Sequence, residues 1–200
     1  MNIESSRQKT KRLTAVAFLA ALIVVLQVLT YFIKAGPFNM SFVLIPIVLG
    51  GMLYGPGAGA FLGGVFGVVV VVVSVMGLDV GGNMVFAANP FLCILLCVGK
   101  GVAAGWVPAV VYKALNGKIN HIAAIVIAAA LAPICNTGIF IIGMLIFFRD
   151  VLSVWSGGTD LLLYVITGIA GINFIVEFLL NVVVAPILVP PVEHAVKKSH

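Results

Sequence analysis

Long apolar runs, almost free of charge, constrain this chain more than any other feature. A helix that crosses the ~30 Å hydrocarbon core of a bilayer needs ~20 apolar residues, and runs of that kind recur along the whole sequence. The first is Leu13 to Ile33, and a short second one covers roughly Phe42 to Tyr54. The turn Tyr54-Gly55-Pro56-Gly57 leads to a third, roughly Ala58 to Met76. The fourth runs from Pro90, a residue suited to a first helical position, to about Tyr112. The fifth runs from about Ala123 to Phe148, and the sixth lies between Leu161 and Val189, where Pro186, Pro190 and Pro191 are expected to close it. The fold class expected is an all-α membrane protein of about six transmembrane helices, forming one domain over residues 1–200, because helices so closely spaced must pack on each other.

Composition excludes the soluble alternative. The chain is 62% hydrophobic and 8% charged, against about 45–50% and about 25% in soluble domains. The first run is longer than the ~7–15-residue core of a signal peptide and is read as a retained helix. Orientation follows from the basic residues. Arg7, Lys9, Lys11, Arg12, Lys113, Lys118, Lys197 and Lys198 all fall on one side of six crossings. The other side receives Lys34 and Arg149 with Asp79, Asp150 and Asp160. Both termini are therefore expected in the cytoplasm, with the chain in the cell membrane. Basic residues at helix ends, without interleaved aromatics, do not make a nucleic-acid surface.

Chemistry is sparse. Cys93, Cys97 and Cys135 lie inside apolar runs without the spacing of a disulfide framework or zinc site, so no metal or cofactor is expected. No Gly-x-Ser-x-Gly, His-Glu-x-x-His or P-loop occurs, and His121, His194 and His200 sit at cytoplasmic helix ends. No catalytic residue is assigned, and the chain does not energise transport alone.

Small residues mark packing faces. Gly59, Gly63 and Gly67 on the third helix, and Gly101 and Gly105 on the fourth, are spaced by four, so they share a face and let backbones approach. Ala15, Ala17, Ala20 and Ala21 give the first helix a small-residue surface; Ala17 and Ala21 serve either internal packing or docking of a second membrane protein.

Intramembrane polar groups are costly and point to function. Lys100 lies about 15 Å into the fourth helix at 1.5 Å per residue, where insertion of a lysine costs roughly 2.5–3.5 kcal/mol. Asn89, Cys93, Cys97, Lys100 and Ala104 share its face. Asn173, Glu177 and Asn181 form one stripe on the sixth helix. Glu177 and Lys100 either pair with each other or line a ligand pocket. Pro133, Asn136 and Thr137 interrupt the fifth helix, where Asn136 either repairs the carbonyl that the proline frees or reaches a ligand amide. Two outer loops, Lys34–Ser41 and Gly77–Asn89, read as connectors or lids, and Asn39, Asn83 and Asn89 join the candidate substrate contacts with them. These features suit capture of a small water-soluble nutrient. A self-sufficient channel or secondary transporter, with Glu177 as relay, and a structural subunit are the rivals.

The segments FNMSFVLIPIVLGGMLYGPGAGAFLGGVFG, NPFLCILLCVGKGVAAGWVPAVVYKAL and NFIVEFLLNVVVAPIL resemble the substrate-binding S components of energy-coupling factor (ECF) vitamin transporters, as do the chain length and the alanine-rich first helix. The resemblance implies a subunit that binds a vitamin near the outer surface. It implies docking through Ala17 and Ala21 onto a membrane coupling subunit that carries two ATPases, and toppling in the bilayer to deliver the ligand. Gly99-Lys100, Asn136 to Phe140 (NTGIF) and Asn173 to Glu177 (NFIVE) look most like the pantothenate-type. Pantothenate offers a carboxylate to Lys100 and an amide and hydroxyls to asparagines. A folate or pyridoxine-type ligand is the alternative, although Trp106 and Trp155 lie off the polar face and suit a stacked pterin poorly.

Overall fold

A computed structural model describes residues 3–32, 42–169 and 171–198. The long apolar runs become helices: α1 (Ile3–Phe32), α3 (Pro56–Val75), α5 (Pro90–Leu115), α6 (His121–Phe147) and α9 (Ile172–Lys198). Between them lie α2 (Leu44–Tyr54), α4 (Val80–Ala88), α7 (Arg149–Ser156) and α8 (Leu161–Tyr164), the last joined towards α9 by a π-helical turn, Val165–Ile169. Five stretches are long and apolar enough to cross a membrane, and α2 is a shorter apolar helix. Their outward faces stay apolar: Phe18 on α1, Phe91 on α5 and Ile187 on α9 are all exposed, as lipid contact requires.

One end of the bundle collects the basic residues. The Arg12 guanidinium on α1 donates to the Tyr54 carbonyl at the end of α2, 2.7 Å away. Val48 and Met52 of α2 share an alanine-rich core with Tyr112 of α5, Ala124 of α6 and Val189 of α9. The start of α1 and the end of α9 therefore lie at the same end, the cytoplasmic one by the positive-inside rule. The α2–α3 turn is made there by Gly55, whose φ of 91° suits glycine, with Pro56 opening α3.

The closest packing in the molecule is α3 on α5. A Cβ at Gly59 or Gly63 would collide with the carbonyl oxygen of Gly105 or Gly101, and one at Gly67 would lie 2.6 Å from that of Cys97. Each step of four along α3 meets a step of four backwards along α5, the register of antiparallel helices. Gly51 extends the seam to α2, where an added Cβ would lie 3.1 Å from the Gly105 carbonyl oxygen. The glycine motifs thus pack within the subunit.

Three expectations change. The first helix begins at Ile3, ahead of its apolar run. The segment expected as an outer loop contains α4, and α7 adds a second short outer helix. Pro186, Pro190 and Pro191 do not close the sixth span: α9 passes through all three and ends at Lys198. Each proline removes one donor, but neighbouring backbone bonds persist, and in an apolar medium unwinding would expose more unpaired groups than the prolines do.

The glycine seam makes a paired prediction. Gly63→Ala should destabilise the detergent-solubilised protein by ~1–3 kcal/mol, the range for overpacking, and lower its thermal midpoint. Gly64→Ala, whose Cβ would meet Val102 at an ordinary 3.6 Å, should leave the midpoint nearly unchanged. Equal effects on thermal unfolding would show that the seam is not the tight contact.

Candidate functional site

Helix length sets the place of the site. An eleven-residue α2 reaches about 16 Å at 1.5 Å per residue, about half of the hydrocarbon core. Helices α5 and α9 each pack on α6 and on α2, and they meet each other at the cytoplasmic end, where the Tyr112 hydroxyl donates to Glu193 at 3.4 Å. The outer halves of α5 and α9, which no close backbone contact joins, flank α6 and bound the candidate cleft. Val48 and Met52 of α2 fill its cytoplasmic half, and the outer half lies above α2.

The intramembrane polar residues converge on this outer half. Gly101 and Gly105 turn one face of α5 to α3, which places Lys100, about 100° round a helix of 3.6 residues per turn, towards α6. The Lys100 ammonium sits 4.5 Å from the centroid of the Phe140 ring, a cation–π contact. Asn136 lies one turn along α6 on the same face as Phe140 and is buried. From α9, Glu177 and Asn181 are buried at 4% and 1% exposure, and Asn173 stands one turn further out. Lys100, Asn136 and Asn181 lie about 15 Å from the outer ends of their helices at 1.5 Å per residue.

Lys100 and Glu177 do not form an ion pair. The ammonium lies over Phe140 instead. Asn181 donates its amide to the Glu177 carbonyl, 2.8 Å away, which spends its donor on its own helix. The Oδ1 atoms of Asn136, Asn173 and Asn181 are all buried without a hydrogen-bond partner. A buried acceptor left unpaired costs ~1–3 kcal/mol, so three in one cleft call for donors from elsewhere. Asn136 makes no hydrogen bond to the carbonyl that Pro133 frees, which leaves it available to a ligand.

Other candidates are placed differently. Asn83 donates to the Ser74 carbonyl at 3.0 Å and ties α4 to the end of α3. Asn89 is exposed and caps α5, its Oδ1 accepting from Leu92 N–H at 3.1 Å. Thr137 is half-buried beside Asn136. Asn39 and the Lys34–Ser41 loop lie outside the described residues. Ala17 and Ala21 are exposed on α1, on one face with Val24 and Val28. Phe140 and the acceptor of Asn181 were not among the expected contacts. Their spacing was readable, since Phe140 follows Asn136 by four and Asn181 follows Glu177 by four. Among the described residues no three His, Cys, Asp or Glu side chains group to hold a metal.

The outer cap above the cleft is tied together by Trp155 of α7. Its indole N–H lies 3.3 Å from the Met84 sulfur on α4, and the ring packs on Gly81.

Comparison with known proteins agrees with this architecture. The family model described as "ECF transporter, substrate-specific component" matches residues 11–189. The chain is also 25% identical over 207 residues to the pantothenic acid transporter PanT of Lactococcus lactis subsp. cremoris, covering 96% of this chain and 99% of that one.

The orphaned acceptors predict an unusual sign. Asn136→Leu removes a buried unpaired amide, so it should raise the thermal midpoint of the ligand-free protein, by the equivalent of ~1–3 kcal/mol. A fall in the midpoint, measured in the same detergent, would mean that Asn136 serves packing rather than a ligand.

Proposed function

Because the chain belongs to the substrate-specific components of ECF transporters, we propose that the outer cleft between α5, α6 and α9 captures pantothenate for uptake. One observation carries this reading: α5 brings to α6 a lysine that has no ion-pair partner among the described residues, and α6 and α9 bury three amide oxygens that lack donors. Pantothenate carries one carboxylate, one amide N–H and two hydroxyls. Its anion complements Lys100, and its three donors complement the oxygens of Asn136, Asn173 and Asn181. Thr137 and Glu177 border the same polar groups, and Asn83 and Asn89 belong to the outer segment α4 and its junction with α5; Asn39, outside the described residues, remains a proposed contact. The similarity to a pantothenic acid transporter supports this choice of ligand.

In this mechanism the empty site holds the ammonium of Lys100 on the Phe140 ring. An arriving carboxylate replaces the ring as its partner, forming a charge-assisted hydrogen bond of about 2.7–2.9 Å. Water is excluded as the ligand fills the cleft, which strengthens each polar contact. Helices α4 and α7, joined through Trp155, close the outer end. Short α2 blocks the cytoplasmic half, so release inward requires the whole subunit to reorient. We assign that step to a membrane coupling subunit with two ATPases, which docks on the exposed Ala17 and Ala21 face of α1. Small residues there let the partner backbone approach closely.

Two experiments test these roles. Equilibrium titration of ligand-stripped protein should show one-to-one binding of pantothenate and none of folate or pyridoxine. Lys100→Gln should weaken pantothenate more than tenfold, while binding of its alcohol analogue, which lacks the carboxylate, should change little. Equal losses for both ligands would remove Lys100 from carboxylate recognition. For docking, Ala17→Leu with Ala21→Leu should preserve pantothenate affinity in the isolated subunit and abolish co-purification with the coupling module. Unchanged assembly would move the interface off this face.

A further inference from the structure

At the cytoplasmic end, away from the ligand cleft, α1 and α3 leave a groove of about 380 Å³. That volume falls in the range of small-molecule sites, about 300–1,000 Å³. Its mouth is cationic. Lys9 and Arg12 stand one turn apart on α1, and no acidic residue among the described ones lines the groove. Arg12 is anchored, donating one N–H to the Tyr54 carbonyl at 2.7 Å. That bond holds the guanidinium over the α2–α3 turn, and a guanidinium has five N–H donors in all. The remainder of the lining is apolar: Leu13 and Val16 from α1, Ala58 and Phe61 from α3. Leu13 and Phe61 remain well exposed, on the side where acyl chains begin. The space is real at Gly57, where an added Cβ would meet nothing within 4 Å.

Depth and chemistry select one occupant. The groove lies where the basic start of α1 passes into its apolar run, at the level of the cytoplasmic headgroups. A cationic mouth on an apolar floor matches a phosphodiester attached to acyl chains, and basic pockets between membrane helices on this side suit anionic headgroups. We propose that this groove holds an anionic phospholipid of the cytoplasmic leaflet, with the phosphate between Lys9 and Arg12 and the first acyl carbons along Leu13 and Phe61. A lipid seated there braces α1 against α3 and would help hold the helix that carries Ala17 and Ala21.

Native mass spectrometry of the purified full chain tests the assignment, with phosphatidylglycerol and phosphatidylcholine offered at equal concentration. The wild type should retain phosphatidylglycerol in preference, and Lys9→Gln with Arg12→Gln should cut that preference at least tenfold, roughly fivefold per cation. Gly57→Leu, which fills the groove and leaves both charges, should also abolish it. Pantothenate binding reports folding of every variant, because the cleft lies at the other end. No preference in the wild type, or a preference that survives both variants, overturns the proposal. Displacement of the lipid by millimolar inorganic phosphate would assign the groove to a soluble anion instead. Absence of lipid selectivity together with lost assembly in the charge variants would assign it to a protein partner.

Discussion

The backbone contact between α3 and α5 governs what the rest of the structure can do. Glycines at 59, 63 and 67 meet Gly105, Gly101 and the Cys97 carbonyl so closely that any side chain would intrude. Such an approach maximises dispersion contact and admits Cα–H···O bonds, where no hydrophobic force drives helices together. It also fixes the rotation of α5. With Gly101 turned to α3, Lys100 must point to the flank facing α6, where Phe140 receives it. A seam of residues without side chains thereby aims the half-buried Lys100.

Length supplies the second constraint. A full-length second helix would fill the gap between α5 and α9 from end to end. At eleven residues it closes only the cytoplasmic half and leaves polar groups in the outer half. This arrangement suits a member of a family whose substrate-specific component works with an ECF module. The two ends then differ in chemistry: the outer half holds buried polar groups, and the cytoplasmic end holds cations and small residues.

Much of this was legible in the sequence because membranes simplify the physics. Each long apolar run could only be a helix, and the four-residue glycine spacing could only be one face. Lys100, Asn136 and Glu177 stood out because each is costly in such a setting. What escaped the sequence depended on distances between helices. Lys100 and Glu177 look like partners by depth, but the ammonium lies over the Phe140 ring of α6 instead. Asn83 and Asn89 stand out by composition, and their hydrogen bonds to the Ser74 carbonyl and from the Leu92 N–H depend on how α4 meets α3 and α5. The prolines of α9 read as stops, whereas the helix passes through them. The short helices α4 and α7 were hidden because their apolar and polar residues serve the outer surface and one another, as at Trp155 and Met84.

The most direct test of the account is a structure of the protein with pantothenate bound. The carboxylate should lie within about 3 Å of the Lys100 Nζ, with the ammonium drawn off the Phe140 ring. The ligand's amide and hydroxyls should donate to the oxygens of Asn136, Asn173 and Asn181. Pantothenate bound elsewhere, with Lys100 still over Phe140 and the three oxygens still unpaired, would contradict the central claim.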